Sequence, residues 1–394
     1  MGRQELDIIA PPALENPYPV YRLLREEEPV HWSEAMQAWI LTRHSDVSHV
    51  LRHPGFAKQA QRVLGTRTAP GPELPFRRSM LFADPPEHTR LRSAVSKAFT
   101  VRTIEMLRPR IEACVTQLLD RAASQDELDL VPAFANPLPI SVIAELLGVP
   151  MANQDRLLHW VQLLARSFDA FLPREVMQKV LESRRELSDF IRGIIALRRE
   201  EPREDLLSGL IALETQGDAL SPSELTEMAE LLLVAGHETT ANLIGGAVLA
   251  LLRNPEQLAR LRQDQNLTES AVEELLRYCS PVQAVWEMAA EEVAIGGYNI
   301  RRGQVVLPII AAANRDPEVF DDPDRLDLGR KPNRHIAFGR GIHFCLGAPL
   351  AQLQARIALR LLVERFPRLR LAGEPNLETL SGFRGVSSLP VAID

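Results

Sequence analysis

The sequence predicts a mainly α fold, a large helical region organised on one long central helix together with a small β-sheet region. Three observations predict it. Apolar residues recur with helical period through most of residues 84–253, with few strand signals. Inside that stretch the pattern runs unbroken from Ser221 to Arg253. Residues 282–306 then change to short branched runs separated by Gly296-Gly297 and Arg302-Gly303 turns, the pattern of a small sheet.

The 394 residues would allow two or three domains at roughly 150 residues each. No low-complexity linker separates them, so a single domain over 1–394 is expected. Hydrophobic and charged fractions of 45% and 25% are those of an ordinary globular protein. A net charge of −7 argues against nucleic acid as a partner. The three cysteines, Cys114, Cys279 and Cys345, form no CxxC pair, which argues against a disulfide framework or a four-cysteine zinc site and fits a reducing cytoplasm. Residues 1–7 lack a basic segment leading into an apolar core, so no secretory signal is expected. The longest apolar run, Leu231–Leu252, carries His237, Glu238, Thr239, Thr240 and Asn242 at its middle. Hydrocarbon would not solvate those groups, so the run reads as a helix inside the protein rather than a membrane span.

Taken in order, the prolines of residues 11–19 give an extended entry to a short helix at 21–26. Val30-His31-Trp32 and Ala38–Thr42 read as a hairpin, and Ser45–Arg52 as a helix with Ser45 as its N-cap. Residues 57–81 lose all periodicity, which in a compact protein marks a functional or mobile segment. Asp84–Arg92 opens a helix that places His88 and Arg92 four apart on one face. That pair can bind an anion, or it can be a solvated basic face. Helical periodicity continues over 104–123, 137–147, 156–168 and 176–199.

Ser221-Pro222-Ser223-Glu224 has the form of a capping box, with Ser221 as N-cap and Pro222 at the first helical position. The helix it starts is about 48 Å long at 1.5 Å per residue. Its midpoint holds Ala235-Gly236-His237-Glu238-Thr239-Thr240, where small Ala235 and Gly236 leave room for a ligand beside an acid and a hydroxyl. A buried carboxylate is costly without a purpose. The alternative is a solvated kink whose threonine hydroxyls bond the preceding turn. A further helix over 270–278 sets Glu274 and Arg277 three apart, able to pair.

The stretch Phe338–Gly347 carries one cysteine among glycines, followed by a helix over 350–366. Glycines permit close backbone approach and unusual backbone angles. A helix N-terminus after the cysteine favours thiolate over thiol. Cys345 is thus either an axial metal ligand or a buried free thiol.

Together these residues resemble the cytochrome P450 family, soluble bacterial class, over essentially the whole chain. Phe338–Gly347 resembles the haem-binding signature, Ala235–Thr240 the oxygen-activation motif and Glu274–Arg277 the ExxR element, in the family's order. The resemblance implies haem b, with Cys345 as its metal ligand. Phe338, Gly339, Arg340, His343, Gly347, Ala235 and Gly236 would surround the cofactor, and His88, Arg92 and His343 would hold its propionates. It implies that Arg325 is the third partner of the Glu274–Arg277 pair. Glu238 and Thr239 fall in the acid and alcohol positions and would manage proton delivery. Where many relatives carry an arginine toward a propionate this chain has Glu287, which is expected to turn away.

The implied activity is monooxygenation: O2 and two electrons place one oxygen atom into a C–H or C=C bond of a hydrophobic small molecule. Phe76, Leu81, Phe168, Phe171, Val285, Trp286 and Phe383 are the expected substrate contacts, compatible with a fatty acid, terpenoid, steroid or polyketide. Electrons would come from a separate ferredoxin and ferredoxin reductase, or a flavodoxin, docking through residues such as Arg92, Lys97, Arg102 and Arg356. A cytoplasmic monomer is expected, without a nucleic-acid or membrane partner. Rival functions are a hydrogen-peroxide-dependent peroxygenase, whose known members usually lack the acid-alcohol pair, and a non-catalytic haem-thiolate sensor needing Cys345 alone.

Overall fold

Aromatic and branched residues form the first strands where the sequence places them, β1 (Val30–Ser33) and β2 (Ala38–Leu41), paired antiparallel with Val30 opposite Leu41. The computed structural model describes residues 8–9, 11–59, 75–150, 152, 154–169, 172–214, 220–379 and 382–393. Around that hairpin lie α1 (Pro11–Glu15), α2 (Tyr18–Glu27), α3 (His44–Val50) and β3 (Phe56–Ala57). The helical stretch follows as α4 (Glu87–Ala98), α5 (Val101–Met106), α6 (Arg108–Ala122), α7 (Pro137–Leu146), α8 (Gln154–Ala165), α9 (Arg174–Glu200) and α10 (Leu206–Glu214). Then come α11 (Pro222–Arg253), α12 (Pro255–Gln263), α13 (Thr268–Cys279), β4 (Glu287–Ala289), β5 (Val293–Ile295), β6 (Tyr298–Ile300) and β7 (Val305–Pro308). The chain ends through α14 (Ile310–Ala313), α15 (Ala348–Arg365), β8 (Arg370–Leu371), β9 (Asn376–Thr379), β10 (Arg384–Ser388) and β11 (Pro390–Ala392).

These elements fall into two compact units. One comprises residues 1–69, 242–345 and 366–394; the other comprises 70–241 and 346–365. The first holds a five-stranded sheet in the order β1-β2-β7-β4-β3. Its β2–β7 pair is parallel, with Ala38 opposite Val305 and Leu41 opposite Pro308. Leu41 and Val306 join one buried cluster with Ile310 and Ile336, whereas Ile40 and Leu307 join another with Leu24 and Ala311. Burial on both faces explains why β2 and β7 read as apolar runs rather than alternating strands.

The second unit is helical. α15 is tied to α6 by Arg360–Glu112 and Arg365–Asp120, each 3.2 Å. Trp160 on α8 is buried and donates its indole N–H to Glu186 on α9 at 2.8 Å. Arg90 on α4 pairs with Glu224 at the start of α11.

The capping box of α11 forms as the sequence predicts. Ser221 N donates to Glu224 Oε2 at 2.7 Å, and Glu224 N donates to Ser221 Oγ at 3.3 Å. Ser45 does not cap α3. That helix begins at His44, whose backbone N–H donates to Asp316 Oδ2 at 2.7 Å, so its capping acceptor comes from a distant part of the chain.

Candidate active site

In the first unit the cysteine loop is closed by its own backbone. Gly339 N donates to Ile336 O at 2.8 Å, Phe344 N to Gly341 O at 3.2 Å, and Cys345 N to Phe338 O at 2.9 Å. Gly339 and Gly341 have φ of 70° and 72°, a region that side chains disfavour. Their surroundings differ. A Cβ on Gly341 would fall 2.3 Å from the Leu51 carbonyl oxygen, so this glycine serves packing within the protein; a Cβ on Gly339 would meet nothing within 4 Å. Cys345 and His343 are half-buried. The Arg340 Nε is buried without a hydrogen-bond partner, and burial together with nearby Arg52 pulls the guanidinium below its ordinary pKa.

Two adjacent glutamates of α13 brace this loop. Glu273 Oε2 lies 3.0 Å from His335 Nε2, and Ala337 N donates to His335 Nδ1 at 3.2 Å. Glu274 and Arg277 are both fully buried and form a bidentate pair at 2.7 and 2.8 Å. Arg277 also donates to the carbonyls of Asn314, Pro323 and Arg325 at 2.9, 2.8 and 3.2 Å. The further side-chain partner of Glu274 is not Arg325, as expected, but Arg330, whose Nε is 3.1 Å from both carboxylate oxygens. Arg325 contributes its carbonyl, while its exposed guanidinium pairs with Asp322 at 3.1 Å. Asn333 Nδ2 and Asp327 N also donate to Glu274, at 3.2 and 3.0 Å. Asn314 links the parts, its side chain accepting from Ile336 N at 2.8 Å and donating to Ser280 at 2.9 Å.

Glu287 sits buried in β4 with its carboxylate 2.7 Å from Lys58 Nζ, which also donates to the Trp286 carbonyl at 2.9 Å. A lysine 229 positions earlier neutralises it, and no periodicity in the sequence marks that pairing.

In the second unit α4 buries His88, while Arg92 is half-buried. Burial and Arg92 lower the His88 pKa, so the ring is neutral near pH 7. On α11, Ala235 is exposed directly after the buried run Leu231–Val234, and Gly236, Glu238 and Thr239 beyond it are half-buried, marking an opening beside the helix. Gly236 does not provide it: a Cβ there would lie 2.9 Å from Ile143. Thr239 Oγ1 donates to Ala235 O at 2.9 Å, the back-bond expected of a helical threonine. His237 is fully buried, with its pKa lowered to about 4 by desolvation, and its Nδ1 lies 3.8 Å from Glu238 Oε2.

Of the expected substrate contacts, Phe76 is completely buried with φ 66°, and stacks on Phe168 at 5.9 Å; Phe82 stacks on Phe168 in turn at 6.3 Å. Leu81 is half-buried. Val285 packs against the cluster under the sheet, Trp286 is exposed, and Phe383 forms a bridge with Val282. Phe171 lies outside the described residues.

A family model described as Cytochrome P450 matches residues 28–384. The chain belongs to the cytochrome P450 family. Among curated relatives, the cytochrome P450 monooxygenase PikC of Streptomyces venezuelae is 42% identical over 386 residues, covering 95% of this chain and 91% of PikC. The vitamin D(3) 25-hydroxylase of Pseudonocardia autotrophica is 40% identical over 400 residues, covering 100% of this chain and 97% of that one. Among solved structures, the cytochrome P450 PksS of the Bacillus subtilis 168 bacillaene polyketide synthase superposes with TM-score 0.91 at 38% identity, with 100% of both chains covered. This cytochrome P450 is a monooxygenase acting on a hydrophobic substrate with electrons from redox partners, and the family implies a haem-thiolate cofactor. No helix among the described residues is long and apolar enough to cross a membrane.

The residues present fit that cofactor. The unpartnered buried Nε of Arg340 suits an anionic propionate, the space at Gly339 suits a flat group against the backbone, and the exposed Ala235 leaves one side of α11 open.

Proposed function

We propose that Cys345 would supply the thiolate ligand to haem b, that Arg340, His343, His88 and Arg92 would take its propionates, and that Phe338, Gly339, Gly347 and Ala235 would line it. The observation carrying this reading is Arg340, five residues before Cys345, whose buried Nε has no acceptor among the described residues. The family model spans both compact units, which supports a single working P450 domain.

Haem supplies the oxidising chemistry, drawing on two electrons and O2. Protons are the protein's part. Glu238, with its side chain 13% exposed, carries them in from solvent, and Thr239, its O–H donated to the Ala235 carbonyl, holds with its free lone pairs the water that passes them on. Neutral His237, its Nδ1 3.8 Å from Glu238 Oε2, puts no competing positive charge beside the acid near pH 7. The aromatic stack at Phe168 gives the substrate an apolar wall.

The substrate is a hydrophobic natural product. The name of PksS places that relative in polyketide biosynthesis, so polyketides are the first class to screen, followed by steroids and fatty acids. Electrons arrive from a ferredoxin with its reductase, or a flavodoxin. Exposed Lys97 and Arg102, flanked by exposed Val101 and Met106, give the acidic partner a basic and apolar contact, with Arg92 and Arg356 completing the charge. The chain works as a cytoplasmic monomer.

Two measurements test this. The carbon monoxide complex of the reduced protein shows the thiolate-haem absorption, and Cys345→Ser abolishes it; its persistence in Cys345→Ser overturns the ligand assignment. Titration of the ferric protein with the three compound classes shifts the haem spectrum for the class that binds.

A further inference from the structure

A cavity lies within the first unit, bounded by α1, α2, the C-terminal half of α11, the end of α13 and the β9–β10 hairpin. Its volume is about 440 Å³. That is more than ten times a water molecule's ~30 Å³ share of the liquid, and within the ~300–1,000 Å³ range of small-molecule sites. None of the residues assigned above to cofactor, proton delivery or substrate lines it.

The charge of its walls is uneven. Arg22, Arg253, Arg315 and Arg384 line it, against Glu15 and Asp324. Among the described residues only Arg315 of these four has a carboxylate partner, Asp324 at 2.8 Å. Arg315 is clamped between Tyr18 and Tyr278, its guanidinium carbon 3.8 and 4.1 Å from the two ring centroids, and its buried Nε has no hydrogen-bond partner. Among the described residues Arg384 donates only to the carbonyls of Leu14 and Glu15, at 3.4 and 2.7 Å. Desolvation, together with the nearby Arg315 charge, pulls the pKa of this half-buried guanidinium below the ordinary value, and no carboxylate among the described residues pairs with it. The Cys279 thiol, with its pKa raised to about 12 by burial, stays neutral and adds no anion.

A guanidinium held in a cavity without a counter-ion is an incomplete ion pair. A lone inorganic anion would complete the charge but leave most of the volume empty. The wall also carries Leu249, Ala250, Leu377 and Val386, which suit an apolar body. We propose that this cavity is a binding site for an organic oxyanion, a carboxylate or phosphate monoester on an apolar chain, with Arg384 and Arg315 as the anion-recognising residues. The occupant seats its charged end on the two guanidiniums and its chain along α11.

The test uses the holoenzyme with miconazole coordinated to the haem iron, which keeps probes out of the substrate site. Calorimetric titrations compare decanoate, decyl phosphate, decanol and inorganic phosphate. Decanoate or decyl phosphate saturates at one per chain, and whichever binds more tightly names the head group; decanol and inorganic phosphate bind at least tenfold more weakly. Arg384→Gln, which keeps donors for the Leu14 and Glu15 carbonyls, weakens binding by about tenfold or more. Ala250→Phe, which leaves every charge in place, blocks it by filling the cavity. Decanol binding as well as decanoate, no binding by either anion, or an affinity unchanged in both variants overturns the assignment.

Discussion

Arg330 holds Glu274 with one nitrogen against two oxygens, its Nε lying 3.1 Å from both Oε1 and Oε2, while Arg277 grips the same carboxylate from its own helix. The carboxylate is fully buried, so each guanidinium offsets part of a desolvation cost that water cannot. Arg330→Met is therefore expected to destabilise the protein by about 3 kcal/mol and to lower haem occupancy. Arg325→Met, at an exposed pair, changes stability by about 0.5 kcal/mol or less. Denaturant unfolding of the two variants, with haem content measured alongside, checks the contrast; equal losses would remove Arg330 from the network's centre.

The two loop glycines should separate cofactor binding from folding. Gly341→Ala meets the Leu51 carbonyl as well as an unfavourable φ, so apo and holo forms both lose stability and yield drops sharply. Gly339→Ala has open space and bears only a conformational cost of about 1–2 kcal/mol. With haem against that backbone, Gly339→Ala is expected to speed haem loss to apomyoglobin while the apoprotein melts nearly as wild type.

Thr239→Ala removes the hydroxyl without removing any helical backbone bond. It is expected to lower product formed per NAD(P)H consumed and to divert electrons to hydrogen peroxide. Glu238→Gln removes the ionisable proton carrier and slows turnover by about 10²-fold. Unchanged coupling in Thr239→Ala would place proton delivery elsewhere.

Two buried groups on α11 set opposing pH slopes. Glu230 is fully buried against Ser188, and desolvation raises its pKa to about 7. Its folded form holds a proton that the unfolded chain releases from about pH 4.5 upward, so its contribution to stability is full below that value and lost by about pH 7. His237 is the reverse. With a folded pKa near 4, its contribution is full above about pH 6.5 and is lost as pH falls toward 4. Each spans about 3 kcal/mol. Glu230→Gln, isosteric with the protonated acid, should gain stability relative to wild type above pH 7 and show a steeper loss between pH 6.5 and 4.5. His237→Phe should instead become less stable as pH rises from 4.5 to 7. Stability curves by urea unfolding across pH 4–8 decide it; parallel curves for wild type and both variants would reject the assignment.

What the sequence made legible was local. Ser221 and Glu224 announce the start of α11 because both halves of a capping box lie within one turn, and the bidentate Glu274–Arg277 pair follows from helical spacing alone. The motifs around Cys345 and Glu238 were readable for the same reason. What the sequence concealed involves partners distant along the chain. Ser45 looked like a cap, but Asp316 does that work. Arg325 and Arg330 share one short run, and only the path of the loop decides which side chain turns inward. Lys58 neutralises Glu287 through strand pairing of β3 with β4, which no local pattern foretells. Gly236 looked like room for a ligand, but a Cβ there would meet Ile143, 93 residues away in the chain.

The parallel pairing of Ala38 with Val305 also sets a timetable for synthesis. β2 leaves the ribosome 267 residues before its partner strand β7, a delay of roughly 13–53 s at ~5–20 residues per second. During that interval the helical stretch from α4 to α10 has every residue it needs for its own internal contacts, while the amino-terminal hairpin has only itself. Nascent chains are thus expected to gain helical protection early and to expose the apolar edge of β2 to chaperones until residue 308 has emerged.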